Sequence, residues 1–148
     1  MLLSPRDQFH IGIVVDDFDA ARDYLTEIGG YEWGPDMQLE YTMLLPSGPV
    51  TYPQRLCYSI TEPRLEIVRS AAGTPLQPSP SGLHHFGYWC DDVVASSAAL
   101  VSRGWAWECG GTLPGGAPAW AYHLRPGNVR IELVSTALKA GLESLWKR

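Results

Sequence analysis

Four side chains could do chemistry together: His10, Glu66, His85 and Glu132. Each histidine sits in the same short pattern, Phe9-His10-Ile11-Gly12-Ile13-Val14-Val15-Asp16-Asp17 and His84-His85-Phe86-Gly87-Tyr88-Trp89-Cys90-Asp91-Asp92. Each glutamate lies inside a short apolar run, Arg64-Leu65-Glu66-Ile67-Val68 and Arg130-Ile131-Glu132-Leu133-Val134. An unpaired carboxylate inside an apolar strand is costly to bury, and a divalent cation removes that cost. Two imidazoles and two carboxylates form a net-neutral set around such an ion. They suit zinc, nickel, cobalt, manganese or iron(II).

Blander roles compete. A lone strand histidine is usually a hydrogen-bonded core residue, and Glu66 could pair with Arg64, Arg69 or Arg130. The joint repetition favours the metal. His84 rivals His85 as ligand, but strand neighbours face opposite ways. Only His85 keeps the His-x-Gly register of His10, so His85 is the predicted ligand.

The repeat predicts two related modules, residues 8–70 and 83–135, each running strand, helix, strand, strand, strand. In the first, the β-branched run 9–15 reads as a strand, and Asp16 or Asp17 caps a helix. Phe18, Ala21, Tyr24, Leu25 and Ile28 form that helix's apolar face, and Gly29-Gly30 ends it. In the second, Asp91 or Asp92 caps the helix, and residues 110–118 read as a loop framed by paired glycines. Residues 71–82, rich in proline, serine and glycine, read as a linker. Residues 136–147 read as a C-terminal helix.

Composition narrows the function. The length of 148 residues suits one domain. No apolar run is long enough to span a membrane, and the N-terminus lacks the order of a signal peptide, so a cytoplasmic protein is expected. Three widely spaced cysteines offer no thiolate zinc site or disulfide framework and read as buried, inert thiols. A net charge of -5 without a basic stripe argues against a nucleic-acid partner.

The motifs at 10–17, 65–68, 85–92 and 126–134 resemble those of the vicinal oxygen chelate superfamily, which includes glyoxalase I, methylmalonyl-CoA epimerase, extradiol dioxygenases and bleomycin resistance proteins. Arg125 and Asn128 depart from the acidic positions of the family's turn before the last strand. The resemblance implies an α+β fold of two βαβββ modules, forming a half-open curved mixed sheet around a central cavity. It also implies His10, Glu66, His85 and Glu132 as ligands, and a homodimer.

The chemistry expected of such a site is a metal-stabilised enolate, as in a lyase, isomerase or epimerase of the glyoxalase I or methylmalonyl-CoA epimerase type. The resemblance makes Glu132 the first choice of base and Glu66 the second. Tyr88, Trp105, Trp107, Trp120 and Tyr122 are the candidate pocket, pointing to a small molecule with an apolar or aromatic part. A glutathione or CoA adduct would want basic side chains, for which Arg55, Arg69, Arg125 and Arg130 are the candidates. Two other functions compete: a metal-free, resistance-type binding protein, and an iron(II) extradiol-type dioxygenase using His10, His85 and Glu132.

Overall fold

The computed structural model describes residues 2–147. The first module comprises β1 (Gln8–Val15), α1 (Phe18–Gly29), β2 (Met37–Leu45), β3 (Gly48–Tyr58) and β4 (Leu65–Arg69). The second comprises β5 (His85–Cys90), α2 (Val93–Ser102), β6 (Ala106–Thr112), β7 (Pro118–Leu124) and β8 (Arg130–Ser135). The helix expected over 136–147 is shorter: a 3-10 turn at Thr136–Leu138 runs into α3 (Lys139–Glu143).

The Asp-Asp pairs do the same two jobs in both modules. The second aspartate caps the helix: Asp17 accepts from the Ala20 amide at 3.0 Å and Asp92 from the Ala95 amide at 2.9 Å. Each cap is worth about 1 kcal/mol. The first aspartate ties the strand end to the module's last strand. Asp16 accepts from the Ser70 hydroxyl and Asp91 from the Thr136 hydroxyl.

Within each module the first strand runs parallel to the fourth, β1 to β4 and β5 to β8. The modules join where β1 pairs antiparallel with β5. The far ends also meet, giving the strand order β1-β4-β3-β2-β6-β7-β8-β5 in a closed barrel. The mixed, curved α+β sheet is as expected, but its half-open form is not: Leu44 bridges Gly110. Gly110-Gly111 belongs to β6 rather than to a loop. A Cβ on Gly111 would collide with the Tyr41 hydroxyl and the Trp120 indole nitrogen, which hydrogen-bond to each other at 2.7 Å. The missing side chain lets β2 come against β6.

Alternation sorts the strands' side chains into two buried layers. Ile67 packs with Phe18 and Cys57 under α1, and Leu133 packs with Val93 and Leu100 under α2. Val14, Met43, Val68 and Cys109 fill the barrel interior. Glu66 and Glu132, one residue from Ile67 and Leu133, therefore face inward. Segment 71–82 packs as a loop, with Ala71 and Leu76 joining the interior cluster and Thr74 accepting the Leu76 amide. All three cysteines are free and buried. No helix among the described residues is long and apolar enough to cross a membrane.

Candidate metal centre

Strand register builds the site in two rows across the sheet. One runs Tyr58, Glu66, Gly12, His85; the other runs Tyr122, Glu132, Gly87, His10. Laterally paired residues direct their side chains to the same face. Each row takes its glutamate from one module and its histidine from the other. The glycine between them leaves room for the ring: a Cβ on Gly12 would fall inside the His85 imidazole, and one on Gly87 inside that of His10.

The result is a tight cluster. The ligand-type atoms of His10, Glu66, His85 and Glu132 lie within 4.8 Å of one another, and all four residues are buried. His10 Nε2 stands 3.0 Å from His85 Nε2 and 3.0 Å from Glu132 Oε2. His85 Nε2 is 3.2 Å from Glu132 Oε2 and 3.3 Å from Glu66 Oε1, while His10 Nε2 is 3.8 Å from Glu66 Oε1.

These residues fit a divalent cation. Nitrogen and oxygen donors held about 2.1 Å from one ion stand roughly 3.0–3.4 Å from each other, close to the spacings here. Glu66 and Glu132 are both buried carboxylates, a costly state that a cation relieves.

Without a cation, protons carry the balancing charge. Burial alone would lower the pKa of His85, but the Glu132 charge and hydrogen bonds to both glutamates outweigh it and raise it to about 9. Burial would raise Glu132, but the His85 charge and hydrogen bonds from both histidines lower it to about 2. Tyr58 and Tyr122 close the cluster at edge and face, 5.5 Å from the His10 ring and 4.9 Å from the His85 ring. Burial, then the glutamate charges, push both phenols well above their ordinary pKa, so they stay neutral.

His84 stands behind His85 rather than in the cluster. Its Nδ1 lies 2.9 Å from His85 Nδ1 and its Nε2 lies 2.8 Å from the Pro75 carbonyl oxygen. Burial, reinforced by the His85 and Arg130 charges, lowers its pKa to about 3 and keeps it neutral.

A cavity of about 290 Å³ opens onto the cluster. Glu66 and Glu132 line it; the two histidines do not. Tyr41, Tyr52, Trp120 and Tyr122 form its aromatic wall, and Leu138 and Leu142 cover it from the C-terminal segment.

Of the expected pocket residues, Trp120 and Tyr122 are there and three are elsewhere. Tyr88 alternates with His85 and Gly87, so it points outward, its hydroxyl bonding Gln8. Trp105 packs into the cluster under α2, and Trp107 lines an external groove beside α2. The sequence reasoning missed Tyr41, Tyr52 and Tyr58; lateral pairing of Tyr58 with Glu66 mirrors Tyr122 with Glu132.

The arginines do not converge. Arg55 is held by Asp19 and Asp36, Arg130 by Glu108, and Arg69 donates to the Pro53 carbonyl. Among the described residues, no arginine or lysine lines the cavity.

Two βαβββ modules closing a barrel, with histidine and glutamate contributed by each to one buried cluster, define a paired-module α+β class. The chain belongs to the glyoxalase/bleomycin resistance protein/dioxygenase superfamily, whose family model matches residues 9–122. Solved structures share the fold at low identity. The methylmalonyl-CoA epimerase of Mycobacterium tuberculosis is 17% identical, with a TM-score of 0.56 and 91% of each chain covered. A variant of the Streptomyces coelicolor methylmalonyl-CoA epimerase, in complex with 2-nitronate-propionyl-CoA, is 17% identical, with a TM-score of 0.57, over 88% of this chain and 97% of that one. No curated protein matches the sequence.

Proposed function

We propose that this protein is a metal-dependent lyase, isomerase or epimerase that removes a proton α to a carbonyl. The observation that carries the reading is the double position of Glu66 and Glu132, which belong to the cation-fitting cluster and also line the cavity. His10, His85, Glu66 and Glu132 would hold a zinc, nickel, cobalt, manganese or iron ion. Such a cation would supply Lewis-acid polarisation of the carbonyl and so lower the cost of losing the α-proton. Glu132 takes the proton and Glu66 is the alternative base. Either is placed to return it to the same carbon or to its neighbour. Tyr58 and Tyr122 exclude water from the cluster.

The substrate is a small molecule with adjacent oxygens and an apolar or aromatic part. The aromatic wall, and the absence of basic side chains around the cavity among the described residues, support this. They weigh against a CoA or glutathione adduct as the preferred substrate. The cytoplasmic setting and the homodimer belong to the same proposal. The iron(II) dioxygenase reading is weaker because Glu66, 3.3 Å from His85, makes a fourth donor where three are wanted. The metal-free binder is weaker because it gives no role to four ligand-type side chains buried within 4.8 Å of one another.

The test is elemental analysis of untagged protein, followed by α-proton exchange in D₂O with small α-hydroxy ketones, hemithioacetals and thioesters. About one divalent ion per chain is expected. Exchange should fall by roughly 10²–10⁴-fold in Glu132→Gln. Protein that takes up no metal, even after refilling, would overturn the proposal.

A further inference from the structure

The cluster is symmetric in its residues but not in what stands behind them. His10 Nδ1 is buried without a partner. His85 Nδ1, by contrast, begins a chain of hydrogen bonds through His84 to the Pro75 carbonyl. The direction of that chain follows from its far end. A carbonyl oxygen only accepts, so His84 Nε2 must carry the hydrogen. A neutral imidazole has a single N–H, so His84 Nδ1 is an acceptor. His85 Nδ1 must then donate to it.

We infer that His84 is a positioning residue for the metal centre: anchored on the Pro75 carbonyl, it fixes the tautomer and ring orientation of His85, so that the His85 Nε2 lone pair faces Glu66, Glu132 and His10. The inference rests on the metal reading for its purpose, though not for its geometry. Metal-binding histidines commonly donate their other N–H to a carboxylate or a backbone carbonyl. Here a second imidazole carries that anchor to the segment between the modules. Its packing explains why the anchor holds. Thr74 donates to the Ala71 carbonyl, Gln77 donates to the same oxygen, and Leu76 is buried in the barrel. His84 is itself 2% exposed, and its amide donates to the Gly12 carbonyl at 2.9 Å. The loop between modules thus reaches the site through one side chain. It stiffens one histidine of the pair and leaves the other without an anchor at its Nδ1.

Two measurements test this. Long-range ¹H–¹⁵N correlation spectra of the metal-free and zinc-loaded protein report the His84 tautomer directly. The proton is expected on Nε2; a proton on Nδ1 overturns the inference. Metal affinity is then compared in His84→Leu, which removes the acceptor, and His84→Asn, whose side-chain oxygen can replace Nδ1. His84→Leu should weaken binding by about 10–100-fold at unchanged circular dichroism, and His84→Asn should restore most of it. Parental affinity in His84→Leu, or no recovery in His84→Asn, would count against a positioning role. If His84→Leu does not fold, the spectrum of the parent still decides. If the parent binds no metal, the metal reading fails by itself, while the spectrum still judges the tautomer chain.

Discussion

Gly12 lies directly across the β1–β5 pairing from His85 and leaves the space that the imidazole ring occupies. Gly87 does the same for His10. The His-x-Gly pattern is therefore reciprocal: each glycine serves the histidine of the other module.

Gly12→Ala and Gly87→Ala should each expel a ring from the cluster. Metal content is expected to fall from about one ion per chain to a small fraction. Stability should fall by about 1–3 kcal/mol, the usual cost of overpacking. Elemental analysis and urea unfolding measure the two effects. A fully metal-loaded Gly87→Ala protein would show that the ring has room to move.

Metal uptake should release a proton. His85 has a pKa of about 9 in the metal-free cluster, so it is protonated at pH 7, and a ligand must be neutral. Apparent affinity should rise about tenfold per pH unit up to about pH 9 and then level off. Calorimetry in buffers of different ionisation enthalpy counts the proton.

The metal-free protein should be most stable near pH 6.5. Below that, His84, at about 3 when folded against 6.5, stays neutral while the unfolded chain takes up a proton. Stability drops as the pH falls, by up to about 1.4 kcal/mol per unit. His123, lowered chiefly by burial, acts in the same direction. Above pH 6.5 the raised pKa of His85 acts oppositely, and its contribution is lost as the pH climbs through about 9. Urea midpoints at pH 5, 6.5 and 8 should trace this maximum, and His84→Asn should flatten its acid side.

Leu142→Ala should enlarge the cavity where α3 covers it. With the metal-loaded protein, the parent is expected to bind benzohydroxamate more tightly than acetohydroxamate. In the variant, para-substituted benzohydroxamates should gain about fivefold, roughly 1 kcal/mol. Titration calorimetry reads the change; an unchanged ranking would remove Leu142 from the pocket.

The sequence carried the two modules and the four cluster residues because duplication makes them visible: two histidines in one register, two glutamates in apolar strands. It misplaced Tyr88, Trp105 and Trp107 for a physical reason. Alternation says which residues share a face, but here both faces are buried, one under helices and one inside the barrel. Trp107 and Trp120 look alike in sequence, yet Trp107 packs under α2 while Trp120 packs against the barrel interior and reaches both the cavity and the groove beside α2. Tyr58 was unreadable as a site residue because its place depends on pairing with Glu66, a register that composition does not encode. The barrel's closure depends on Gly111 making room for Tyr41 and Trp120, side chains distant in sequence.

That closure has a mechanical consequence. On one side the modules meet along several residues of β1 and β5; on the other, they meet through the Leu44–Gly110 bridge and the Tyr41–Trp120 hydrogen bond. The barrel is thus a clasp with a broad hinge and a narrow catch, and the histidines sit on the hinge. An ion shared by His10 and Glu66 of one half and His85 and Glu132 of the other would be a rivet through that hinge. Loading it would lock the halves to each other, so that springing the catch would no longer free them to part.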